Sequence, residues 1–132
     1  LVMFSKNKSY DMCHIYMAPK QSTNLTLYPI DSIRLGSLVT GGDYNEKIGL
    51  LALAGYDNSL EEQYLYLIPN FKIPIQEDEV LRLKLPYENV QFESVVIVSS
   101  EEIIMTSENE GNGPPFLLKI KFLKEIDSLN SY

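Results

Sequence analysis

The chain has 132 residues, a formal net charge of −7 and 45% hydrophobic residues, which suits one globular domain with a core of ordinary size. The acidic balance argues against a nucleic-acid partner, because phosphate binding needs clustered Lys and Arg. No apolar run approaches the roughly 18 residues that a membrane span requires, so we expect no membrane-spanning segment.

Short apolar runs broken by Gly, Pro, Asn and Asp predict an all-β protein. The predicted strands lie near 1–5, 12–18, 24–30, 37–43, 49–55, 63–69, 79–85, 91–98, 102–107 and 116–123. The segment NSLEEQ predicts one helical turn, in which Ser59 and Glu62 form a capping box. The segment NEGNGPP at 109–115 predicts a loop.

Cys13 and His14 are the only cysteine and the only histidine of the chain. A single cysteine excludes an internal disulfide and any multi-cysteine metal site. Neighbouring residues of a strand point to opposite faces, so a catalytic Cys–His pair is not expected. We predict an inert buried thiol at Cys13 and a His14 that points outward or is hydrogen-bonded.

The apolar runs repeat with a period near 50 residues. LVMFSKN at 1, LLALAGY at 50 and IIMTSEN at 103 correspond, and so do HIYMAP at 14, YLYLIP at 64 and LLKIKF at 117. With strands lettered A to D, the order is BCD, then ABCD, then ABC. This period predicts antiparallel four-stranded propeller blades: a partial blade at 1–36, one at 37–88 and one at 89–132 of a single domain. The alternative is a β-sandwich or a small barrel with evenly spaced hairpins.

Several segments resemble one protein family. LVTGGDYN with LALAGY, QYLYLIPNF, NVQFESVVIVSSEEIIMTSENE and VMFSKN are similar to strands of exported six-bladed propeller proteins of Bacteroidota. This family is distantly related to gluconolactonase-like and phytase-esterase-like propellers. The resemblance implies a six-bladed propeller in an extracellular, periplasmic or cell-surface location.

About three blades do not close a ring. We therefore expect a longer precursor that supplies N-terminal blades, or pairing with a second copy of the chain. Unpaired strand edges would otherwise be exposed.

Two carboxylates fall within predicted inner strands, Asp43 in LVTGGDYN and Glu93 in VQFESVVI. Inner strands line the channel of a propeller, and carboxylates that converge there suit Ca²⁺, with Glu108 as a weaker ligand. The alternative is structural: Asp43 follows Gly41 and Gly42, so a turn or a backbone hydrogen bond is a natural role.

Thr40, Asn45 and Ser107 are the further candidates for ligand binding at the channel. Two functions remain open. The first is binding or hydrolysis of a small carbohydrate, lactone or ester at the channel mouth, with an optional Ca²⁺ that polarises a carbonyl. The second is a non-catalytic interaction platform at the cell surface.

Overall fold

The computed structural model describes residues 1–6, 12–21, 23–108 and 114–123. These form ten strands: β1 (Val2–Phe4), β2 (Met12–Met17), β3 (Asp31–Arg34), β4 (Leu38–Asn45), β5 (Leu50–Tyr56), β6 (Gln63–Ile68), β7 (Leu81–Leu85), β8 (Gln91–Ser99), β9 (Glu102–Glu108) and β10 (Leu117–Lys121). Within these ranges there is no α-helix, and one 3₁₀ turn spans Glu77–Glu79. None of the described residues belongs to a helix with the length and apolar character that crossing a membrane requires.

The strands form three antiparallel sheets. Sheet 1 has the order β1-β2-β3, sheet 2 the order β4-β5-β6-β7 and sheet 3 the order β8-β9-β10. The all-β prediction is confirmed, and the sheets of three, four and three strands are those that the repeat predicts. The described residues do not show the sheets closing into a ring.

Sheet 2 lies between the other two, and for that reason β5 and β6 are buried along their whole length. Their side chains alternate between two hydrophobic clusters, as the twofold period of a strand requires. Leu51, Leu53 and Tyr66 pack with residues of sheet 1. Ala52 and Ala54 pack with residues of sheet 3. The uninterrupted apolar runs of these two strands are thus the mark of a middle sheet.

Two local predictions are wrong. Residues 24–30 do not form a strand; the strand begins at Asp31. Leu25, Leu27 and Ile30 are exposed, and Pro29 has no N–H to give to a ladder, whereas Ile33 is buried.

The predicted helical turn at residues 58–63 is a turn without a helix. Asp57 accepts the Ser59 hydroxyl and, at 2.9 Å, the Glu62 amide. The Glu62 amide thus bonds to Asp57 and not, as the capping box predicts, to Ser59. Residues 109–113 of the predicted loop lie outside the described residues, and Pro114 and Pro115 precede β10.

The first strands of sheets 2 and 3 share one irregularity. The β4–β5 register shifts between Val39 and Gly41, and the β8–β9 register shifts between Phe92 and Ser94. Each strand thus carries a β-bulge, at Thr40 and at Glu93 respectively.

Matching the bulges sets the correspondence between the two sheets. Thr40 corresponds to Glu93, and counting on from the bulge pairs Asp43 with Val96 and Tyr44 with Ile97. Asp43 and Glu93 therefore do not correspond, because Asp43 lies three residues after the bulge of β4 whereas Glu93 is itself the bulge residue of β8.

Candidate functional site

The first strands of sheets 2 and 3, β4 and β8, approach each other at Gly41. A Cβ atom on this glycine would lie 2.8 Å from the Glu93 carbonyl oxygen and 2.9 Å from the Ser94 Cα. Both are backbone atoms of β8, which cannot move aside as a flexible side chain would. Only glycine permits this contact between sheets 2 and 3.

Two of the predicted site residues fasten this contact. The Thr40 hydroxyl donates a hydrogen bond to the Phe92 carbonyl, and the Asp43 carboxylate accepts the Ile97 amide at 2.8 Å. In a regular strand, residues three apart point to opposite faces, but the bulge at Thr40 directs both side chains toward β8. The structure thus gives Asp43 a backbone hydrogen bond, the alternative that the sequence left open.

Glu93 and Glu108 lie near the exposed side chain of Lys6. The Lys6 ammonium is 3.9 Å from a Glu93 carboxylate oxygen and 5.1 Å from the centre of the Tyr56 ring. A hydrogen bond with Tyr56 raises the pKa of Lys6; burial opposes the rise, and the charges of Glu93 and Glu108 support it. The two carboxylates expected to attract Ca²⁺ therefore act on a lysine.

Asn45 and Ser107 have local structural partners. The Asn45 side-chain oxygen accepts the Lys47 amide at 3.1 Å, in the turn at the far end of β4 from Thr40. Ser107 is buried, and its hydroxyl oxygen accepts the Phe116 amide at 3.0 Å. Over the part of the chain that the structure describes, no three His, Cys, Asp or Glu side chains come together as a metal site. The calcium and ligand assignments stay predictions.

Cys13 is 3% exposed, in the cluster between sheets 1 and 2. Burial raises the pKa of its thiol to about 11, and the hydrogen bond to the Ser5 carbonyl lowers it by less. The prediction of a buried thiol is confirmed, and this pKa makes it a poor nucleophile at neutral pH. His14 is half-buried, and its backbone amide bonds to the Ser5 hydroxyl.

A cleft of about 750 Å³ lies between β1 and β4, and sequence reasoning did not identify it. The segment Phe71–Ile73 forms its third wall. Gly42 and Tyr44 are exposed, and the Tyr44 ring meets the Phe71 ring edge-on at 5.5 Å.

In the part of the chain that the structure describes, β1 pairs with another strand on one side only. Leu1 and Ala18 exchange two hydrogen bonds of 2.9 Å, and the Ser5 amide bonds to the His14 carbonyl. Leu1, Met3 and Ser5 therefore direct their backbone groups toward β2. In an antiparallel ladder the residues between them face the other way, so Val2 and Phe4 direct their amides and carbonyls toward the cleft.

Comparisons with known proteins give no match to this chain, whether with family models, with curated proteins or with solved structures.

Proposed function

We propose that this protein is a non-catalytic interaction module made of propeller blades, which binds an extended polypeptide in the cleft between β1 and β4. The observation that carries the proposal is an apolar cleft with β1 along its wall, a strand that among the described residues pairs on its other side only. Sheet edges bind peptides by adding a strand, with main-chain hydrogen bonds for affinity and side-chain pockets for specificity.

The shared bulge and the packing of β4 on β8 support the propeller arrangement, which is part of the proposal. Further blades, from a longer precursor or from a second copy, are part of the proposal. So is an extracellular, periplasmic or cell-surface location, which the family resemblance implies.

Panning a phage-displayed library of random peptides on the immobilised protein tests this function. We expect peptides to be enriched on the wild type and on Tyr28→Glu, and to be lost with Tyr44→Glu. Tyr44 lies in the cleft and is 46% exposed, while Tyr28 is 76% exposed and lies outside it. The same substitution thus tests the site against a matched surface control. Equal enrichment on both variants would refute binding in the cleft.

One observation favours a small-ligand site as the second candidate, namely the approach of Glu93 and Glu108 to Lys6. If this end holds Ca²⁺ and acts on a lactone or ester, calcium raises the melting temperature and Glu93→Gln abolishes the rise. If the carboxylates serve Lys6 alone, calcium and EDTA leave melting unchanged. A panel of lactones and carboxylic and phosphate esters, assayed with wild type and Glu93→Gln, tests the enzymatic version.

A further inference from the structure

We draw no further inference here: the strongest candidate, the cavity of about 470 Å³ between the turn that precedes β6 and the loop that precedes β8, is lined by charged side chains that are all exposed (Glu61, Lys84 and Glu88), and nothing in the described residues shows which ligand would occupy it.

Discussion

The two interfaces of sheet 2 differ although both arise from the same repeat. Toward sheet 3, the backbones of β4 and β8 are in contact at Gly41. Aliphatic side chains and Phe92 fill the rest of the space between the two sheets. Toward sheet 1, β4 borders the cleft. Tyr64 and Tyr66 fill the outer part of that interface, and the inner part is the cleft.

Corresponding residues of β8 and β4 differ in how far their side chains are exposed. Ile97 of β8 is 5% exposed because it packs on sheet 2, while its counterpart Tyr44 is 46% exposed at the cleft. Phe92 and Val39 also correspond, and Phe92 has the more complete burial, at 0% against 6%. Exposure at a position that is buried in the corresponding strand thus marks the side of sheet 2 that faces the cleft.

The largest effect is expected from truncating the better-packed member of that pair. Phe92→Ala removes a ring that meets the rings of Tyr87 and Phe116 edge-on, and we expect it to lower the free energy of unfolding by about 3–5 kcal/mol. Val39→Ala removes two methyl groups beside the cleft and costs about 1–2 kcal/mol. Urea denaturation of both variants gives the comparison. A larger loss for Val39→Ala would show that the interface with the cleft is the tighter one.

A middle-sized effect is expected where β4 is fastened to β8. Asp43→Ala leaves the Ile97 amide without its carboxylate, so we expect a loss of about 1.5–3 kcal/mol. Its counterpart Val96 is 52% exposed, and Val96→Ala should change stability by no more than about 0.5 kcal/mol. Equal losses of unfolding free energy for Asp43→Ala and Val96→Ala in urea denaturation would mean that contact with a neighbouring sheet does not distinguish these two positions.

The smallest effect on stability at neutral pH is expected at Cys13, where folded and unfolded thiols are both protonated. Its pKa rises from 9.0 to about 11, which lowers the thiolate fraction about a hundredfold, so iodoacetamide at pH 8 should alkylate the native protein at least that much more slowly than the urea-unfolded protein. Between pH 9.0 and about 11 the unfolded thiol ionises and the folded one does not. The stability that the buried, protonated Cys13 thiol contributes is therefore lost as the pH rises through this window. Rates that match in the native and unfolded proteins would contradict the burial of Cys13 between sheets 1 and 2.

The sequence predicts the strands and their grouping well because both depend on local pattern. The uninterrupted apolar runs of β5 and β6 indicate burial on both faces, and Gly and Pro mark the turns between strands. The error at residues 24–30 has the opposite origin: Leu25 and Leu27 have the pattern of a strand, but the pairing of β2 is taken by Asp31–Arg34. A local pattern cannot show which of two neighbouring segments finds the ladder.

The candidate site was less accessible to sequence reasoning. Asp43 and Glu93 are both acids in predicted inner strands, yet Asp43 follows the bulge of β4 by three residues and Glu93 is the bulge residue of β8, so their positions and partners differ. No local sequence pattern indicates Lys6 as a site residue, because its contact with Glu93 joins sheet 1 to sheet 3. Such contacts between distant segments depend on how the sheets pack, which no residue spacing records.

The brevity of β1 has a kinetic consequence. A strand of three residues, of which Val2 and Phe4 face outward, gives an incoming chain four backbone groups at most. Short edges also limit uncontrolled edge-to-edge growth. Most affinity differences between related complexes lie in the dissociation rate. Because β1 offers so few main-chain hydrogen bonds, the side-chain contacts are expected to determine that rate. The complex that forms on β1 is thus expected to have a short residence time and to exchange its partner readily.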